Sequence, residues 1–446
     1  MPFKSSKLDL TEGERHVFQI HTAYSILEGV IAGVLALNEF VFIKSLHGSS
    51  YQLSVLFQFS VLVFLVLLVF NEMLKLVKSK VKLLRVTGAL TRLPLFVLVF
   101  FPGTHVAMSG NSLYHYIFLA VFLIYYLGNP AIFPVINLLL KHNYRLEVFG
   151  RLYSFATFWN KVIMLLTTFV YGLLLDADNF AFRWVFPIIA VLGFVSLILL
   201  SRIKYAEKES SAPVKKFFAS ILESGTNMYR TWSGNKAFKH FEVGFLFYGF
   251  AFMSTITVIT LFFERSLHLN YSGVAFYKNS YNVLALLWIP FFGRLLGRID
   301  PRKFAALTFA TILLYLLSLA LTSWYPGYTE VLGIRIYYLL LLYILGQSLF
   351  TATMSLLWSI GSAYFCKPEE AADYQSVHLF LTGTRAVFAP ILGVIFYEMY
   401  GFEFTFMVGA VFAFIAVLVM IWSYRRDKGT NREFQIPKTI ASKNSG

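Results

Sequence analysis

Three charged side chains, Glu28, Lys161 and Arg385, stand inside stretches that are otherwise apolar. An ionised group in the middle of a hydrocarbon layer costs about 2.5–3.5 kcal/mol even on insertion scales, so such groups usually face a cavity or one another. Arginine can grip a carboxylate or phosphate through two parallel hydrogen bonds, and lysine offers a compact charge with three donors. A carboxylate among them can take up a proton or compete for the cations. The chemistry implied is reversible capture of an anionic group by Lys161 and Arg385, with Glu28 as proton carrier or counter-ion. Four further polar residues stand in similar runs: Asn129 ahead of Pro130, Asn282, Gln347, and Lys278 nearer one end of its run. Bond-making chemistry finds no support. There is no His-Glu-x-x-His, Gly-x-Ser-x-Gly or P-loop, and the single cysteine, Cys366, excludes an internal disulfide and a cysteine-rich metal site. No metal or cofactor is expected.

The elements that must position these residues follow from composition. Of 446 residues 58% are hydrophobic and 14% charged, against roughly 25% charged in a soluble domain, which leaves too little polar surface for water. Runs of about 20 apolar residues read as membrane helices. Twelve such runs occur, at 17–44, 51–74, 83–101, 113–140, 152–175, 181–203, 241–263, 273–296, 304–325, 336–360, 375–399 and 403–424. Open strands cannot satisfy their backbone in lipid, and the short alternating segments of a barrel are missing, so an all-α polytopic membrane protein is expected.

The net charge of +15 does not point to nucleic acid, because the bases fall in short clusters between the apolar runs. Lys4, Lys7 and Arg15, then Lys75 to Arg85, Lys141, Arg145 and Arg151, Arg294 to Lys303 and the tail after Arg425 fall on one side. Asp176, Asp178, Glu264, Glu330 and Glu403 fall on the other. The positive side is expected to be cytoplasmic, which puts both termini inside. The longest polar interruption, 204–240, separates six runs in 1–203 from six in 241–446. Within it Phe217, Ile221, Met228 and Trp232 share one helical face, with Lys215, Lys216 and Arg230 available to headgroups, which reads as an amphipathic helix on the inner leaflet tethering two halves.

Six spans, a basic connector and six spans resemble the major facilitator superfamily. "GRLLGRIDPRK", Gly293 to Lys303, is similar to the family's inter-helix loop signature Gly-x-x-x-Asp-Arg-x-Gly-Arg-Arg. Gly293, Arg298 and the Arg302–Lys303 pair match in kind, Gly297 stands where the family has aspartate, and Asp300-Pro301 replaces the later glycine. The first-half equivalent, "NEMLKLVKSKVK", keeps the charge and loses the motif, while "YRLEVFGRLYS" resembles the family's loop between spans four and five. The resemblance implies that Gly293, Arg298, Asp300, Arg302 and Lys303 help to latch the halves. It also implies that spans one, two, four, five, seven, eight, ten and eleven surround a central cavity.

Depth then sorts the candidates. Arg385, Lys161 and Glu28 each lie about ten residues into their spans, roughly 15 Å deep at 1.5 Å per residue and near the middle of the bilayer. All seven candidates fall on spans that the resemblance makes cavity-forming, and Lys161 and Arg385 would be related by its pseudo-twofold. Arg92, on the peripheral third span, reads instead as a member of a buried structural pair or as a group near the inner surface. The expectation is a monomeric secondary transporter in a cell membrane, bacterial inner membrane by its short loops, moving a small organic anion by alternating access, with protons as a candidate coupling ion. Rival readings are a proton-driven exporter of amphipathic compounds or lipids, binding through aromatics such as Trp159, and a non-transporting receptor or assembly factor on the same scaffold.

Overall fold

A computed structural model of the chain describes residues 10–76, 79–104, 110, 112–205, 217–296, 298–366 and 370–429. Lys4, Lys7, Lys78, Lys215, Lys216, Gly297 and the tail beyond 429 lie outside them. The chain forms two compact units, Met1–Val214 with Asn270–Ala275, and Lys215–Leu269 with Phe276–Gly446.

The first unit holds eight helices: α1 (Glu12–Leu35), α2 (Asn38–Lys44), α3 (Ser50–Leu76), α4 (Lys80–Arg92), α5 (Leu113–Leu127), α6 (Asn129–Asn143), α7 (Leu146–Ala177) and α8 (Phe182–Leu200). Local chemistry sets their ends. Thr11 caps α1 in a reciprocal box, its hydroxyl accepting from the Glu14 amide while the Glu14 carboxylate accepts from the Thr11 amide. Pro94 cannot donate to the α-helical ladder, and the chain after α4 continues as a 3₁₀ helix, Leu93–Phe100. The fourth expected span breaks at Gly128 and restarts as α6 with Pro130 near its start. On one end of the unit Val17, Ile20, Leu84, Ile136, Leu139, Leu152, Leu197 and Leu200 form a continuous core from five helices.

In lipid, apolar contact between helices gains little over contact with acyl chains, so close approach of small residues does the packing. α1 and α7 illustrate it. A Cβ on Gly29 would lie 2.6 Å from the Asn160 carbonyl oxygen, and one on Gly33 would lie 2.6 Å from Thr167 Cβ. That proximity lets Asn160 Nδ2 donate to the Ser25 carbonyl at 2.9 Å and Thr168 Oγ1 to the Gly33 carbonyl at 3.0 Å.

The second unit contains α9 (Phe217–Gly234), α10 (Lys236–Leu261), most of α11 (Tyr271–Leu296), α12 (Pro301–Trp324), α13 (Leu340–Ile360) and α14 (Ala371–Gly429). α9 is the helix expected inside 204–240, and it belongs to this unit rather than standing free as a tether. α14 bends at Gly401, whose φ of 86° is open to glycine at no steric cost. An aromatic core runs through α10, α12 and α13, where Tyr248 stacks on Phe309 at 4.8 Å and Phe350 packs against Phe252 and Tyr315.

Between α12 and α13 the chain makes an unexpected antiparallel hairpin, β1 (Tyr328–Val331) with β2 (Ile334–Tyr337). Leu332 and Gly333 turn it, both at positive φ, as a two-residue type I′ connection requires. The tenth span therefore begins at Leu340, not at 336, because Ile336 and Tyr337 are committed to the strand.

Among the described residues nine helical segments are long and apolar enough to cross a membrane. The last, Asp373–Asp427, is 55 residues long and includes the Gly401 bend. α11 is not among the nine, since Lys278, Asn279, Ser280 and Asn282 lower its hydropathy.

Candidate functional site

α7 carries Lys161, and the helix presents two exposed faces of different character. Ser154, Thr157 and Lys161, spaced three and four apart, form an exposed polar stripe beside the α1 contact. Phe155, Trp159, Leu166, Val170 and Leu173 form an exposed apolar stripe on the far side. The apolar stripe suits lipid, and the polar one suits water or a polar ligand. Lys161 makes no ion pair among the described residues; its ammonium approaches only the Met164 sulfur, at 4.0 Å. Trp159, expected among aromatics lining a cavity, stands on the lipid-type face.

Arg385 departs from the expectation. On α14 its side chain is 1% exposed, folded onto α10 where Gly249 leaves room for the guanidinium. Nη1 donates to the Phe245 carbonyl, Nη2 donates to Thr382 Oγ1 at 3.0 Å, and the guanidinium lies 5.3 Å from the Tyr248 ring centre. Its Nε has no acceptor among the described residues. A guanidinium so enclosed offers no donor to a solute in this conformation. It braces α10 against α14.

Glu28 also differs from the convergent arrangement expected of it. Its carboxylate accepts from Ser196 Oγ of α8 at 2.7 Å and forms no ion pair with Lys161. The physical reason is helical phase: Ser25, Gly29 and Gly33 take the α7 side of α1, which turns Glu28 toward α8. Arg92 reaches the same part of α8. It is buried, its aliphatic stem lies on Gly193, and its guanidinium sits 3.8 Å from the Tyr125 ring centre with Nε and Nη1 lacking acceptors.

In the second unit Lys278 and Asn282 lie one turn apart on α11, half-buried, with Asn282 Nδ2 donating to the Lys278 carbonyl at 2.7 Å. An edge-to-face contact between Tyr281 and Tyr343, 6.3 Å between centres, brings α13 to that level, and Gln347 follows one turn later. Gln347 here, like Asn129 in the first unit, is half-buried, and neither amide makes a side-chain hydrogen bond among the described residues.

The inter-helix loop works inside the second unit. Asp300 caps α12 through the Arg302 amide and grips the Arg302 guanidinium at 2.9 and 3.1 Å. The same guanidinium donates to the Ser423 carbonyl at 3.1 Å and to Asp427 at the end of α14. Lys303 lies over Tyr424, 4.3 Å from its ring centre. Arg302 therefore ties α12 to α14, where the resemblance implied a latch between halves. Arg298 is exposed, and a Cβ on Gly293 would meet open space, so packing does not demand glycine there.

Among the contacts not anticipated are two made by buried carboxylates. Glu14 holds Arg145 through both carboxylate oxygens at 2.9 and 3.0 Å, joining the start of α1 to the loop before α7. Glu242 on α10 meets His378 Nδ1 on α14 at 2.9 Å, with both side chains buried. Each member lies near a helix end, where a charge ordinarily reads as interfacial. The signal available was spacing: His378, Thr382 and Arg385 recur at four and three on one face. Outside the spans, burial together with Glu370 and Asp373 pushes the Cys366 thiol up to about 11.

The sequence profile of the Major Facilitator Superfamily matches residues 21–383. No curated protein matches the chain. Among solved structures, the nucleoside transporter NupG is similar with a TM-score of 0.68 and 12% identity over 92% of this chain and 100% of that one. A bacterial homolog of the human lysosomal transporter Spinster, inward-facing and unoccupied, gives 0.62 and 13% over 93% and 98%. A D-xylose-proton symporter gives 0.59 and 13% over 91% and 97%. At such identities the likeness is one of fold.

Proposed function

The chain belongs to the major facilitator superfamily and is a multi-pass membrane transporter, and from that premise we propose that it moves a small organic anion by alternating access, with Lys161 as the cation that meets the solute. The observation that carries this reading is the polar stripe on α7: a lysine with no carboxylate partner among the described residues, flanked by Ser154 and Thr157, opposite a stripe suited to lipid. An exposed unpaired ammonium in a span is costly unless water or an anion solvates it. Lys278 and the uncommitted amides of Asn129 and Gln347 supply further donors and acceptors of the kind a polar solute requires. Arg385 is assigned to the scaffold, and Glu28 to a polar contact with α8.

Twelve spans fit this reading if α3, α11 and both arms of α14 each cross the bilayer. The basic clusters at Lys80–Arg85, Lys141–Arg151, Arg298–Lys303 and Arg425–Arg426 support a cytoplasmic placement of those loops and both termini in a cell membrane. An aromatic-lined route for amphipathic compounds draws less support, because Trp159 lies on the lipid-type face of α7.

The test is a thermal-shift screen of the purified chain against small carboxylates, phosphorylated compounds, neutral nucleosides, sugars and amines, followed by flux of each stabilising compound in proteoliposomes. Anions should stabilise the intact chain and lose that effect, together with flux, in Lys161→Gln. Stabilisation and flux of neutral or cationic compounds alone, or unaltered anion flux in Lys161→Gln, would overturn the assignment.

A further inference from the structure

A second titratable centre lies buried in the α10–α14 contact. Glu242 is 3% exposed and His378 1%, and His378 Nδ1 approaches the two carboxylate oxygens at 2.9 and 3.2 Å. The walls are aromatic. Phe245 of α10 and Trp358 of α13 stand edge-on to the imidazole at 4.7 and 4.8 Å. His378 Nε2 is buried without an acceptor among the described residues. Along the same face of α14, Thr382 Oγ1 donates to the His378 carbonyl at 2.9 Å and accepts from Arg385, whose buried charge has no carboxylate in contact. Among the described residues the charged group against the imidazole is Glu242 from α10, and Arg385 follows two turns later on the same face of α14, with the Tyr248 phenol of α10 beside it. α13 contributes only Trp358 to the imidazole's surroundings in these contacts.

The charges balance in one state and not in the next. With Glu242 ionised, Nδ1 carries the hydrogen that binds it, and a bare Nε2 needs no acceptor. One negative and one positive charge, Glu242 and Arg385, then share the buried strip. Protonation by hydronium would form an N–H bond at Nε2 and break one O–H bond of the hydronium, releasing water. It would leave the strip one positive charge in excess and create a buried donor without a partner, both of which are costly.

We propose that Glu242 and His378 form a proton-binding site of the second unit, with Arg385 as the fixed charge that opposes its occupation. The site deepens the transporter reading by naming a coupling-ion site on α10 and α14, away from Glu28. Occupation favours movement of α10 against α14, because only rearrangement or entering water can supply the acceptor that Nε2–H lacks.

The experiment reads the proton through Trp358, whose indole emission is quenched by a charged imidazole at contact distance. The chain has seven tryptophans, so the Trp358 signal is the difference between the intact chain and Trp358→Phe. Titrated from about pH 8 downward, that difference should fall along a one-proton curve. In His378→Gln the fall should vanish. Glu242→Gln should lower the proton affinity at least about tenfold, moving the midpoint to lower pH, and Arg385→Gln should raise it, moving the midpoint up. A flat difference signal, a curve unchanged in His378→Gln, or a midpoint indifferent to both Glu242→Gln and Arg385→Gln would overturn the site. If the latter two variants fail to fold, judged by size-exclusion profile, the intact, Trp358→Phe and His378→Gln comparison decides alone. A flat titration leaves the anion-transport reading standing, since that reading fails only on ligand stabilisation and flux.

Discussion

α1 against α7 in the first unit and α10 against the first arm of α14 in the second are built alike up to the point where each meets its cation. Both pairs close on glycine, at Gly29 and Gly33 in the first and at Gly249 and Gly393 in the second. In the first pair the glycines receive backbone and short hydroxyl or amide side chains, so the two helices fill their own contact and Lys161 is left on the flank. In the second, Gly249 receives the arginine itself, and the contact is completed by a charge that donates to the Phe245 carbonyl and to Thr382. The cation is thus left exposed in one unit and spent on packing in the other. What separates them is whether the facing helix offers acceptors and a hole of the right shape.

The largest expected break in that comparison is Arg385→Ala. Removing a large, fully buried side chain leaves a void beside Gly249, a loss of about 3–5 kcal/mol. Thermal unfolding in detergent should show a marked fall in Tm, while Lys161→Ala should leave Tm nearly unchanged. Equal falls in the two variants would mean that Lys161 also braces its unit.

Gly33→Leu tests the other side of the comparison. The added side chain collides with Thr167 and the Met164 carbonyl, and overpacking of this kind costs about 1–3 kcal/mol. α1 and α7 should separate, seen as lost stability with Lys161 chemically intact. Tolerance of leucine, with Tm unmoved, would show that the glycine contact in the first unit is looser than the arginine-filled one in the second.

Much of the fold was legible because hydrocarbon imposes length and polarity rules that each span must obey alone. Pro130 announced its interruption for the same reason: a missing donor is a local fact. The orientation of Glu28 and Arg385 was not legible. Depth states that burying a charge is costly, but the direction a side chain takes depends on which residues of the facing helix are glycine, and Gly249 lies more than a hundred residues before Arg385. Glu14–Arg145 and Glu242–His378 were hidden by their position near helix ends, where solvation is the ordinary reading of a charge. The hairpin was masked by Leu332, a bulky residue at positive φ, where glycine or asparagine would have signalled the turn.

A smaller effect concerns the two end clamps. Arg145 is half-exposed where it meets Glu14, whereas Arg302 is almost wholly enclosed with Asp300 and Asp427. Removing either arginine strands a carboxylate, but the buried Glu14 keeps its Thr11 donors, whereas Asp300 and Asp427 both lose the guanidinium. Arg145→Ala should therefore lower Tm, and Arg302→Ala should lower it more, in parallel thermal unfolding. A reversed order would place the firmer clamp in the first unit.

The finest measure of the comparison is chemical accessibility, and the chain's single cysteine makes it practical. With its pKa raised to about 11, Cys366 exists as thiolate to only about one part in ten thousand at pH 7. The sign matters: a raised thiol pKa means the neutral form persists, and reactivity grows as pH climbs toward that value rather than as it falls. The native chain should therefore label slowly with maleimide near neutrality and progressively faster in alkaline buffer. Against that quiet background Lys161→Cys should label readily at pH 7, since its position lies on an exposed polar stripe, while Arg385→Cys should resist until detergent or heat opens the α10–α14 contact. Fast labelling of both would mean that the second pair opens in solution, so that Arg385 could reach a solute after all. Slow labelling of both would place the α7 stripe against protein, and the exposed ammonium would lose its claim to the cargo.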